Sequence, residues 1–144
     1  MNIEDLEKYL HGKGCKLRGC TTHEIAKIEI FFHVKLPLSY KNYLFSMGKG
    51  AGQFMQGSSV FYDEVFNLRE GSNRLLIEDE FKPLPNDAFV FWMHQGYQFA
   101  FFYLDQGDNP PVYFYYEGVK YEDFQKKENS FTEFLEKQLV MSGL

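Results

Sequence analysis

Residues 87–118 read DAFVFWMHQGYQFAFFYLDQGDNPPVYFYYEG, three aromatic-rich runs joined by two short links. The first link is His94-Gln95-Gly96; the second is the turn-forming stretch DQGDNPP, residues 105–111. A parallel crossover needs roughly a dozen residues or more, so strands joined this closely pair antiparallel. No other stretch limits the fold as strongly: this half of the chain is a β-meander.

The middle run is apolar on both faces. Tyr97, Phe99, Phe101 and Tyr103 share one side, and Gln98, Ala100, Phe102 and Leu104 the other. A strand of that kind is covered on both sides. Nine rings in the twenty-two positions from 97 to 118 therefore read as core, because aromatic side chains serve packing first. Helices cover one face; the other has to meet a loop, a curled sheet or a partner. On the third run Val112, Phe114 and Tyr116 face one way, and Tyr113, Tyr115 and Glu117 the other. Tyr113 and Tyr115 are amphipathic and are expected at the surface.

The first third is helical in pattern. Ile3, Leu6, Tyr9 and Leu10 fall on one helical face behind Asn2. Thr21 and Glu24 have capping-box spacing and open a second helix with Ile25, Ile28 and Phe32 inward. Leu36-Pro37 interrupts it. Pro37 then suits the start of a third helix, whose stripe is Tyr40, Leu44 and Met47, with Gly48 as a left-handed stop. In the middle, SSVFY and VFNL read as short strands, and NLREGSNRLLIEDEF as a helix opened by Asn67. SFTEFLEKQL closes the chain as an amphipathic helix with Ser130 and Glu133 in capping-box spacing.

The fold class is thus α+β: a central antiparallel sheet with helices before and after it. The chain has 144 residues and a formal net charge of -5. That balance disfavours direct nucleic-acid binding, which calls for a basic patch, and favours a basic partner. No apolar run is long enough to span a membrane, and the acidic start MNIEDLEKYL is unlike a secretory signal. A cytoplasmic protein is expected. Two cysteines are too few for a disulfide framework.

The cluster His11, Cys15, Cys20 and His23 holds zinc-type ligands within thirteen positions. Four residues separate the cysteines, however, where structural zinc sites use tight knuckles. The reading is two reduced thiols in a glycine-rich connection, with no metal and no cofactor. No G-x-S-x-G elbow, H-E-x-x-H or P-loop is present, so the chain is not expected to be an enzyme. GKGAG follows a helix and reads as a helix exit. DQGDN lacks the ligand spacing of a calcium loop and reads as a solvated turn. A small-molecule carrier built on the aromatic sheet would need a cavity of at least about 300 Å³.

Taken in order, TTHEIAKIEIFFHVKLPLSYKNYLFSMGKGAG, then LPNDAFVFWMHQGYQFAFFYLDQGDNPPVYFYYEG, then SFTEFLEKQL resemble the SUKH superfamily. Its members include fungal cell-wall synthesis regulators and many bacterial immunity proteins. Met47-Gly48 stands where such domains often carry Asn-Gly. The resemblance implies one domain over residues 1–144, acting as a non-catalytic binding module. In bacteria such domains commonly neutralise polymorphic toxins, often nucleases. An acidic inhibitor gains association rate and specificity against a basic enzyme. Glu78, Asp79, Glu80, Asp105, Asp108 and Glu117 are the acidic contacts expected from this sequence, with Tyr113 and Tyr115 as aromatic anchors. A regulatory scaffold without a toxin partner is the alternative on the same fold.

Overall fold

A computed structural model describes residues 1–118 and 122–144. Its N-terminal part is helical. α1 spans Ile3–Gly12, capped by Asn2 and Asp5 in a reciprocal box. α2 spans Thr22–Phe32, and the Thr21–Glu24 box satisfies its first free N–H groups. α2 stops short of the proline: His33 takes φ 55, and the Glu29 carboxylate accepts the Leu36 N–H at 2.8 Å. α3 spans Leu38–Met47 behind Pro37, and Tyr40, Tyr43, Leu44 and Met47 are fully buried.

Gly48 corrects one expectation. It is right-handed, with φ -65, so it is no left-handed stop. Close approach requires it instead, because a Cβ there would lie 2.7 Å from the Cys20 sulfur. The chain then forms a small ribbon from β1 (Leu17–Arg18) and β2 (Gly50–Ala51). β3 is only Ser58–Ser59. The expected VFNL strand is absent, because residues 65–68 lie inside α4, Tyr62–Glu78. α4 starts five residues before Asn67 and has no side-chain cap. Its buried stripe of Val65, Leu68, Ser72, Leu75 and Leu76 follows helical spacing, and that burial outweighs the missing cap.

The meander forms as expected. β4 (Ala88–His94), β5 (Gln98–Tyr103) and β6 (Val112–Tyr116) pair antiparallel in sequence order. β3 and β7 (Gln125–Glu128) extend the sheet at its two edges, giving the order β3-β4-β5-β6-β7. α5 spans Phe131–Met141.

Both sheet faces are covered. On one, Phe89, Phe91 and Phe102 stack and meet Tyr40 of α3 and Phe131 of α5. A register shift between Val90 and Trp92 lets two successive residues reach this face. Phe91 and Trp92 both pack edge-on against Phe134, at 5.1 and 5.8 Å. The other face carries Phe99, Phe101 and Tyr115, closed by Phe81 and Phe124 beyond α4. Arg69 ties α4 to the sheet by donating to the carbonyls of Ala88 and Pro85.

Candidate protein-binding surfaces

The expected acidic contacts divide between two ends of the sheet. Glu78, Asp79 and Glu80 sit where α4 ends, and Glu117 follows β6 at that same end. Asp105 and Asp108 lie in the β5–β6 turn at the opposite end. β5 runs six residues between them, a span of roughly 20 Å at the usual strand rise.

At the α4 end the contact is specific. The Tyr115 hydroxyl donates to the Asp79 carboxylate, which also accepts the Gly118 N–H at 3.0 Å. Asp79 thereby joins the helix end to the turn after β6. Burial, followed by this hydrogen bond, pushes the Tyr115 phenol well up from its ordinary range. Tyr115 itself is 6% exposed, stacked on Phe99 and edge-on to Phe81. Its expected place on the surface is corrected: it is a core residue. The alternation assigned its side properly, but that side is roofed by Phe81 and Phe124. Tyr113 is half-buried, stacked on Phe101 at 5.7 Å and edge-on to Tyr103 at 5.0 Å.

Glu78, Glu80 and Glu117 are exposed, and among the described residues none has an ion-pair partner. α4 also has no basic residue in its last turn. Carboxylates at a helix C-terminus face the negative end of the helix dipole. Among the described residues, then, these carboxylates have no cation paired with them. At the other end, the Asp108 carbonyl accepts the Ser39 N–H at 2.8 Å, and Asn109 bonds to Thr132. Asp105 and Asp108 border a shallow concavity shared with Glu29, Lys35 and Lys41, where Lys41 pairs with Glu29 at 3.9 Å.

The thiols and imidazoles do not converge. His11 and His23 are exposed on α1 and α2, while Cys15 and Cys20 are each 6% exposed and unpaired. Among the described residues no group of three or more His, Cys, Asp or Glu is placed to hold a metal ion. Burial first, and Glu24 second, push the Cys20 thiol up to about 11, the reverse of an activated nucleophile. No helix among the described residues is long and apolar enough to cross a membrane.

Sequence reasoning missed one further feature. A half-open cleft of about 740 Å³ lies between the sheet and the end of α5, lined in part by Trp92, Phe114, Tyr116 and Met141. It exceeds the volume that a small-molecule site requires. Its walls come from segments near 55, 95, 115, 128 and 140, and no local pattern announces their convergence.

Five antiparallel strands with helices packed on them describe an α+β protein. The model of the SMI1 / KNR4 family (SUKH-1) matches residues 19–137, and the chain belongs to that family. Membership is consistent with an immunity or regulatory module acting through protein–protein contact. No curated protein matches the chain.

Proposed function

We propose that residues 1–144 act as one cytoplasmic, non-catalytic binding unit, an immunity-type protein that holds a basic toxin domain in an inactive complex. The observation that carries this reading is the set of exposed carboxylates Glu78, Glu80 and Glu117, the first two at the negative end of the α4 dipole, none ion-paired among the described residues. At that position Glu78 and Glu80 each cost the free fold about 0.3–1 kcal/mol. A basic partner removes that cost on binding and is steered toward the site beforehand. Family membership and the net charge of -5 support the same reading. Asp79 supplies the geometry by fixing the helix end to the turn that carries Glu117. Asp105, Asp108 and Tyr113 are secondary contacts in this proposal.

Replacing Glu78 and Glu80 by lysine separates stability from function. The double variant is expected to melt higher than the parent, because its charges now suit the helix end. In a host expressing the toxin encoded beside it, the same variant is expected to protect less. Full protection by the variant would remove the acidic patch from the mechanism. Killing that continues despite abundant parent protein would refute the immunity reading. The regulatory alternative shares the fold and is told apart by its partners: a pull-down from native lysate then recovers housekeeping proteins and no toxin.

A further inference from the structure

The cleft beside α5 differs in chemistry from the acidic patch. Its floor is aromatic: Trp92 packs against Phe114 at 5.5 Å, and Phe114 stacks on Tyr116 at 5.2 Å. Its rim carries Val140 and Met141, each 79% exposed. Large apolar side chains left in water beside a concave apolar floor mark an interaction surface. Lys127 and Lys137 line the cleft against the single carboxylate of Glu128. Among the described residues neither lysine is ion-paired, and the Lys127 ammonium lies 5.3 Å from the Phe114 ring centroid. The Trp92 side chain lines the same cleft, and its indole N–H is buried without an acceptor among the described residues.

We propose that this cleft docks an apolar segment of a partner polypeptide that carries acidic side chains beside its apolar anchors. The aromatic floor receives an aliphatic or aromatic anchor, and Lys127 and Lys137 meet the neighbouring carboxylates at the rim. Charge decides the sign of the partner segment: a locally basic cleft in a chain of net charge -5 selects acidic over basic sequences. The exposed rim decides its size. Val140 and Met141 line its open side and stay 79% exposed, so an occupant confined to the floor leaves most of their surface in water, whereas a polypeptide crossing the cleft covers it. Phe114 and Tyr115 alternate along β6, so this surface lies on the sheet face opposite the Tyr115–Asp79 contact. It is independent of the basic-toxin reading.

Trp92 is the chain's one tryptophan, so its emission reports occupancy of the cleft. A random peptide library displayed on phage is selected against the full chain, with counter-selection on a Lys127→Glu, Lys137→Glu, Met141→Glu variant. All three positions are exposed, and an unchanged melting profile verifies that the variant keeps the fold. The expected winners combine aliphatic or aromatic residues with Asp or Glu, and a synthetic copy shifts Trp92 emission saturably. Lys127→Glu with Lys137→Glu is expected to weaken that peptide about tenfold or more, the effect of losing two rim charge pairs. Glu78→Lys with Glu80→Lys is expected to leave it unchanged, which keeps this result separate from the toxin test. Enrichment no better than on the variant, or a basic consensus, overturns the proposal. Saturation of Trp92 by sodium dodecanoate without any response to the selected peptide reassigns the cleft to a free amphiphile and also overturns it.

Discussion

At the scale of single residues, two buried tyrosines differ in what their hydroxyls meet. Tyr40 is fully buried among Tyr43, Phe89, Phe102 and Phe131, and its hydroxyl has no partner among the described residues. Tyr115 is almost as buried, but it donates to the Asp79 carboxylate. A hydrogen bond to a charged group contributes about 1.5–3 kcal/mol, whereas an unmade one leaves only the desolvation penalty. Tyr115→Phe is therefore expected to lower stability by about 1.5 kcal/mol. Tyr40→Phe is expected to be neutral or stabilising by up to about 1 kcal/mol, since the ring stays and the unpaired hydroxyl goes. Urea denaturation of both variants checks the pair, and equal losses would contradict the assigned bonding. Alternation along β6 told which side Tyr115 faces; nothing local told that Phe81 and Phe124 close over it.

At the scale of elements, two glycines that look alike in the sequence play opposite parts. Gly71 is inside α4, and a Cβ there would meet only Met93, at an ordinary 3.5 Å. Gly71→Ala is expected to stabilise the protein by about 0.5–1 kcal/mol, through lower unfolded-chain entropy and better helix propensity. Gly19 is different. A Cβ there would fall 1.7 Å from the Phe45 carbonyl oxygen, inside the contact between the start of α2 and α3. Gly19→Ala must push the two segments apart, and it is expected to lower the thermal midpoint by many degrees or to prevent folding. Circular dichroism melts of the two variants should move in opposite directions. The Asn2 cap of α1 and the capping box of α2 were legible because they are local chemistry. The start of α4 was not: with no capping side chain, its first turn is held by contacts made after folding.

At the scale of the whole molecule, burial of ionisable groups sets an alkaline limit. The Tyr40, Tyr43 and Tyr115 phenols are all pushed up, chiefly by burial, and Cys20 is raised from 9.0 to about 11 by burial and then by Glu24. In each case the folded state keeps a proton that the unfolded chain releases, near 9.0 for the thiol and 10.0 for the phenols. Stability from these groups is intact below about pH 9 and declines as the pH rises toward the folded values. Urea midpoints are expected to fall steadily between about pH 9 and 11. Flat midpoints over that range would mean that these side chains reach solvent in the native state. The same burial makes both thiols slow to react with a maleimide in the folded protein and fast in urea.

The sequence by itself determined the meander, the side chains that cap the starts of α1, α2 and α5, and the burial of the β5 rings Phe99, Phe101 and Phe102. Each rests on short-range features: link length, hydroxyl-to-carboxylate spacing, and alternation of rings along a strand. Tertiary structure alone decided the bulge that turns Phe91 and Trp92 to one face, the addition of β3 and β7 at the edges, and the roof over Tyr115. It also assembled the cleft beside α5 from segments tens of residues apart. The physical reason is common to all of these. A side chain's direction follows from its own backbone, but what lies opposite it is supplied by distant chain, and only folding brings that chain into place.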